Sequence, residues 1–177
     1  MQQDGGRMSD QVCQSDPVSG VSLHPSTRNH GGLEPDEARK RIKSAALSWL
    51  GTPFHHGARL KGVGVDCGQL VIAVMSEAGL VEAFDLEAYS AQWNLHQGRE
   101  LYLEQTRQYC DPVAAPWEVG DILIYRVGRC ASHGAIYIGE NRVVHALGGR
   151  QVEIADITGL YFSSRFDSGW RLKWLAR

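Results

Sequence analysis

The stretch VGVDCGQLV, Val63–Val71, decides how the chain is read. A glycine-spaced loop runs into one acidic residue, one cysteine and then an apolar run. Asp66 suits a helix N-cap, and Gln69 follows three residues later as in a capping box. The segment DCGQLVIAVMSEAG, residues 66–79, is apolar on most sides and predicts a helix central to the core. Cys67 then takes the first helical position, where unpaired N–H groups and the positive dipole end favour an anion. A thiol placed there ionises more readily than a free one. The preceding glycines let a substrate backbone approach closely. The same N-terminal amides can hold a tetrahedral oxyanion. The plainer alternative is that Cys67 is a small buried hydrophobe.

Downstream the pattern changes. From Trp117 the runs DILIYRV, HGAIYIGE, RVVHAL, QVEIADI and WRLKWLA are short, β-branched and aromatic. Gly, Asn, Asp or Ser separates them, as in an antiparallel sheet. Upstream, EPDEARKRIKSAALSWLG, residues 34–51, predicts a helix with Pro35 near its start. Asp36 and Glu37 sit at its positive end, and Ile42, Ala45, Ala46, Trp49 and Leu50 share one face. GRELYLEQTRQYC, residues 98–110, predicts a third helix ending at Cys110, and residues 80–98 read as turns with short helical pieces. Helices first and strands second imply an α+β domain over residues 34–177. Residues 1–33 are rich in Gly, Ser, Asp, Gln, Asn and Pro, show no apolar period, and read as a disordered extension.

Composition narrows the function. The 177 residues are 43% hydrophobic and 21% charged, with a net charge of −2. No basic stripe stands out, so nucleic acid is not an expected partner. No apolar run has the length of a membrane span, and the N-terminus has no secretory hydrophobic region. Cys13, Cys67, Cys110 and Cys130 are unevenly spaced and form no disulfide framework. Synthesis in a reducing cytoplasm is the expectation.

A cysteine nucleophile requires a base, and the base requires an orienting partner. His133 begins an alternating strand in ASHGAIYIGE, and His145 lies in the next, NRVVHALGG. A tight turn from Gly139 to Asn141 would set both imidazoles on one face of a hairpin. If that face meets the start of the Cys67 helix, the set is Cys67 as nucleophile, His133 as base and His145 as the residue that orients it. His145 also reads as an ordinary core or surface histidine. The adjacent His55 and His56 are loop residues near the site. Cys130 and His133 form a C-x-x-H, a weak zinc signal without a second close pair. Cys13 and Cys110 read as incidental, and Trp49, Trp117, Trp170 and Trp174 as core anchors. Trp93 suits a cleft wall or simple packing.

LGTPF, VDCGQL, GDILIY, SHGAIYIGE and VVHA, in that order, resemble the NlpC-type family of cell-wall endopeptidases, a papain-like cysteine peptidase group. The resemblance covers residues 36 to 175. The long GTPFHHGARLKGVGVDCGQL looks like the phage branch, whose members sit in tail-tip assemblies or are encoded beside tail genes. It implies a papain-like α+β fold, with N-terminal helices packed on a C-terminal antiparallel sheet. It implies hydrolysis of peptidoglycan stem peptides by Cys67, His133 and His145, with no cofactor and no metal. Phe54, His55, His56, Asp66 and Gly68 are the expected substrate-binding residues. The expected partners are peptidoglycan peptides and other tail-tip proteins, with no membrane insertion. The expected location is the virion tail, after synthesis in a bacterial cytoplasm. Two features depart from the family. Phe54 stands where the family has a tyrosine near the nucleophile, and Gly68 and Gln69 follow Cys67 where the family reads Ser-Gly. A structural tail component with weak or lost catalysis, and an amidase or acyltransferase with the same triad, are the competing readings.

Overall fold

The computed structural model describes residues 32–86 and 100–176. Helix α1, Pro35–Ser48, starts with Pro35 at its first turn beside Asp36 and Glu37, and buries Ala38, Ile42 and Ala46. A loop follows that folds into a two-stranded antiparallel ribbon, β1 (Arg59–Leu60) with β2 (Gly64–Val65). Helix α2, Cys67–Glu77, buries Leu70, Ile72, Ala73, Val74 and Met75, as its apolar sequence requires. Helix α3 runs over Leu101–Tyr109. The remaining strands are β3 (Cys110–Val113), β4 (Ile122–Val127), β5 (Cys130–Gly139), β6 (Arg142–Ala146), β7 (Val152–Asp156) and β8 (Phe166–Leu172). A four-residue helix, α4 (Leu160–Ser163), joins β7 to β8.

β3 to β8 form one sheet in the order β3-β8-β4-β5-β6-β7, every neighbouring pair antiparallel. Alternation along the strands sends residues to two faces. Ile122, Ile124, Ile136, Ile138 and Val144 join α1 and α2 in the main core. Leu123, Tyr125, Ala135, Tyr137 and Val143 form a second cluster with Phe162 on the opposite face. Trp49 and Trp170 lie in the main core, Trp174 packs against it, and Trp117 packs on the second cluster.

Several expectations shift by a few residues. Cys110 does not end a helix in the helical conformation; its backbone is extended, and it opens β3 by pairing with Leu172. β3 is an edge strand, which accommodates Pro112. The expected strand WRLKWLA ends at Leu172, and a turn follows. Of the expected extension 1–33, residues 1–31 lie outside the described residues, while Leu33 packs against the main core. Cys13 and Trp93 also lie outside the described residues.

Two local features position the site. The β5–β6 turn has two residues, Glu140 and Asn141, both with positive φ (55° and 56°), between the paired Gly139 and Arg142. That is the left-handed pair a tight hairpin uses to match strand twist. On the other side of β5, Tyr125 pairs with His133 but Arg126 pairs with Ala131, so Ser132 is a bulge residue. The Glu100 carboxylate accepts from the Ala131 N–H at 2.8 Å and pairs with Arg126 at 3.2 Å, which fastens the start of α3 to this bulge.

Candidate active site

The start of α2 is built by Asp66. Its backbone is extended, and Oδ1 accepts from the Gln69 N–H at 2.9 Å, the cap expected from the spacing. Oδ2 accepts from the Gly57 N–H at 2.7 Å, and His56 Nδ1 lies 3.7 Å away. One buried carboxylate thus ties the His55–Gly57 loop to the first turn of the helix. His55 packs its ring against Gly64, where a side chain would collide with it.

Cys67 is the first residue of α2. Its sulfur lies 3.7 Å from the Ser132 carbonyl, to which the thiol donates. Backbone N–H groups of Gly134, Gly68 and Cys67 itself act on the sulfur and favour its thiolate. Those contacts put the sulfur against the backbone on both sides of His133. Burial and the neighbouring Asp66 charge outweigh the donors, and the thiol is pushed from 9.0 up to about 12. The residue as a whole keeps some solvent exposure, so the sulfur is the enclosed part. The expectation of an easily ionised thiol is therefore corrected for this state of the site: the helix end is present, but enclosure wins.

His133 and His145 are both on the second face of the sheet, rings edge to face with centroids 5.2 Å apart. The expected hairpin juxtaposition is found. That face carries Tyr125, 6.2 Å from the His133 ring, and Phe162, 5.0 Å from the His145 ring. It is not the face on which α2 packs, so the sulfur meets β5 at its backbone. Burial pushes His133 down to about 3, with His145 adding to the effect. His145 is pushed down to about 4 by burial, against which Glu153 pulls upward and Arg150 downward. Both imidazoles are neutral at ordinary pH.

Phe54 bridges to Val65 and donates its N–H to the Arg150 carbonyl, with its ring edge beside Gly148. Gly68 faces Leu86 and Tyr102. Tyr102 escaped notice in the sequence, where it is one aromatic on an amphipathic helix. Its ring tip covers Gly134, so that any side chain at residue 134 would occupy the space of the tyrosine hydroxyl. It lies over the same two glycines whose amides favour the thiolate. Glu153 also escaped notice, because only the β6–β7 register places it opposite His145. Cys130 is buried at the start of β5, opposite Val127. Among the described residues, no group of three or more His, Cys, Asp or Glu side chains is placed to hold a metal ion.

A helix-borne thiol held against the backbone that flanks His133, whose ring meets that of His145, in a papain-like α+β fold, is the arrangement of the cysteine peptidase class. The chain belongs to the NlpC/P60 family, whose model matches residues 51–171. Among curated proteins it is 26% identical over 166 residues to the murein DD-endopeptidase MepS/murein LD-carboxypeptidase of Escherichia coli (strain K12), covering 85% of this chain and 80% of that protein. It is 24% identical over 159 residues to a probable endopeptidase NlpC homolog of Haemophilus influenzae, covering 90% and 75%. Among solved structures, an NLP/P60-family protein similar to a lipoprotein of Staphylococcus aureus superposes with a TM-score of 0.57 at 19% identity, over 88% of this chain and 45% of that one. The NlpC/p60 domain of the peptidoglycan hydrolase SagA superposes with a TM-score of 0.51 at 19% identity, over 74% of this chain and 96% of that one.

Proposed function

We propose that the chain is a thiol endopeptidase that hydrolyses peptide bonds in peptidoglycan stem peptides, with Cys67, His133 and His145 as its triad. One observation carries the reading: the Cys67 sulfur is held at a helix start against the backbone flanking His133, whose ring meets that of His145. The names of the Escherichia coli and Haemophilus relatives support the substrate class.

In this mechanism Cys67 passes its proton to His133 as the sulfur attacks the scissile carbonyl carbon. The carbonyl oxygen becomes an oxyanion and accepts from the Cys67 backbone N–H. Collapse breaks the C–N bond, and His133 returns the proton to the leaving amine. The thioester that remains is attacked by water, with His133 again taking the proton, and the acid product leaves. His145 holds the His133 ring in the required orientation. The site described here is its resting form, with thiol and imidazoles neutral. Transfer of one proton from Cys67 to His133 makes the reactive ion pair, and an arriving substrate amide favours it by its own dipoles. Phe54, His55, His56 and Gly68 are the proposed contacts of the substrate peptide, whereas Asp66, expected among them, is buried with its two oxygens committed to the Gln69 and Gly57 N–H groups and shapes the site from beneath.

A place in a phage or prophage tail belongs to the same proposal, supported by the long loop before Cys67. Digestion of muropeptides from several wall types, with product masses, tests the chemistry. Cleavage of one peptide bond, lost in Cys67→Ala, is the expected result, and intact substrate throughout overturns it. Mass spectrometry of purified virions tests the location.

A further inference from the structure

His145 is enclosed on every side. Phe162 of α4 packs edge-on against its ring, and His133 of β5 lies edge to face with it. Glu153 of β7 is its direct partner in the antiparallel register and brings Oε1 to 3.6 Å from Nε2. The other carboxylate oxygen, Oε2, is taken by Arg150 at 2.9 Å. The two oxygens of Glu153 therefore serve two different cations-to-be, one fixed and one titratable. Beyond His133 stand Tyr125 of β4 and, past the β5 backbone, Cys67 and Asp66 of α2.

Two ring nitrogens in this line are buried without a hydrogen-bond partner among the described residues besides the one facing Glu153: His145 Nδ1 and His133 Nε2. A neutral imidazole has one N–H and one lone pair, so fixing the proton on one nitrogen makes the other an acceptor. The carboxylate beside His145 Nε2 favours the proton there. His145 Nδ1 is then the acceptor, and the His133 ring, edge to face with it at a centroid distance of 5.2 Å, is the neighbour whose Nε2 N–H would turn to it as the reaction begins. That choice leaves His133 Nδ1 with the lone pair that must receive the Cys67 proton.

We propose that Glu153 is a positioning residue of the reaction, a fourth member that sets the tautomer of His145 and, through it, of His133. The inference rests on the triad assigned under the proposed function. When His133 takes the Cys67 proton, the positive charge forms one imidazole away from the Glu153 carboxylate, and that charge stabilises it. Arg150 moderates the effect by sharing the carboxylate.

The experiment has two arms on the full chain. In the first, long-range nitrogen–proton NMR of the histidine rings reads tautomers without any need for catalysis. His145 is expected as the Nε2–H form in the native protein, and as a mixture in Glu153→Ala. An Nδ1–H form in the native protein, or an unchanged tautomer in the variant, overturns the proposal. The second arm measures kcat, KM and pH profile on muropeptides for the native protein, Glu153→Asp, Glu153→Gln and Glu153→Ala. Glu153→Ala is expected to lower kcat about 10-fold with little change in KM, the usual size for an outer-shell partner. Glu153→Gln keeps an acceptor but no charge, so the acid limb moves to lower pH, because the imidazole pair takes up a proton less readily without the carboxylate. Glu153→Asp should restore much of the rate. Unchanged kcat and pH profile in a folded Glu153→Ala overturn the proposal. A native protein with no hydrolytic activity would remove the proposed function instead, and the tautomer arm alone would then decide the role of Glu153.

Discussion

The two faces of the six-stranded sheet are built from the same strands but do different work. The helix face buries Ile122, Ile124, Ile136, Ile138 and Val144 under α1 and α2. The opposite face pairs Leu123, Tyr125, Ala135, Tyr137 and Val143 with two buried histidines under a four-residue helix. Cys67 comes from the first side and the two imidazoles from the second, and the backbone of Ser132–Gly134 is the seam between them. The difference teaches how the proposed reaction centre would straddle the sheet at a bulge. The helix brings backbone donors to the sulfur, and the far face holds the imidazole that the proposed mechanism uses as proton acceptor.

The largest test of that division is removal of either half. Cys67→Ala should leave no measurable turnover on muropeptides. His133→Ala should come close to it, a loss of about 1,000-fold or more, while the fold survives in both. Wild-type turnover in either variant would show that the seam is not the centre. His145→Gln should keep part of the rate, because an amide oxygen still accepts from the His133 ring. A His145→Gln protein as inactive as His133→Ala would mean that His145 does more than orient.

A smaller effect separates the faces by stability. His133 and His145 are held neutral, at about 3 and about 4, whereas the unfolded chain titrates them near 6.5. Below pH 6.5 the unfolded state binds more protons, so stability falls as the pH drops toward 4 and is flat above 6.5. Each histidine contributes up to about 1.4 kcal/mol per pH unit in that window. Melting curves from pH 7.5 to 4.5 should show the fall, and a His133→Phe/His145→Phe double variant should lose it. A native protein equally stable at pH 5 and 7 would contradict the burial of the pair.

One glycine on each face admits an aromatic ring onto the strand. Gly134 lies under Tyr102 on the helix side, and Gly169 lies under Trp117 on the other. Alanine at either place should destabilise by about 1–3 kcal/mol, as overpacking does. Only Gly134→Ala should also lower activity, since its backbone borders the sulfur. Denaturant titration with turnover assays on both variants makes the comparison, and an equal loss of activity at Gly169 would blur it.

The smallest effect concerns the thiol. With Cys67 held up at about 12, alkylation at pH 6 should be slow, slower than for an exposed cysteine. Tyr102→Ala should speed it several-fold by opening the space over the Gly68 and Gly134 amides, and Tyr102→Phe should not. Site-resolved mass spectrometry after brief labelling reads both. Fast native labelling would show that the enclosure is not the resting state.

Much of this was legible in the residues. The Asp66–Gln69 spacing located the helix start and the cap that forms there, because capping is a local interaction. Alternation in ASHGAIYIGE and NRVVHALGG placed His133 and His145 together, because a hairpin turns one-dimensional order into neighbours. What was not legible depends on contacts distant in sequence. Glu153 faces His145 through the β6–β7 register, and Tyr102 reaches Gly134 through the packing of α3 on β5, where Glu100 also holds the bulge. The state of Cys67 is not legible in the sequence for the same reason: a helix end is local, whereas enclosure is a property of everything packed around it.

The two-residue turn at Glu140–Asn141 has a consequence for how this chain can change over generations. Because side chains alternate from face to face, the twelve-step interval from His133 to His145, taken with the register shift between Tyr137 and Gly139, is a parity condition. A single inserted or deleted residue within β6, between the turn and His145, would turn that imidazole toward the helices and strand Glu153 opposite an aliphatic neighbour. The hairpin's residues are bound by the two cores they enter, and its length can alter only in twos, or in a lengthened loop that leaves the ladder untouched. The count between the two histidines thus keeps both imidazoles on one face as surely as the packing around them does.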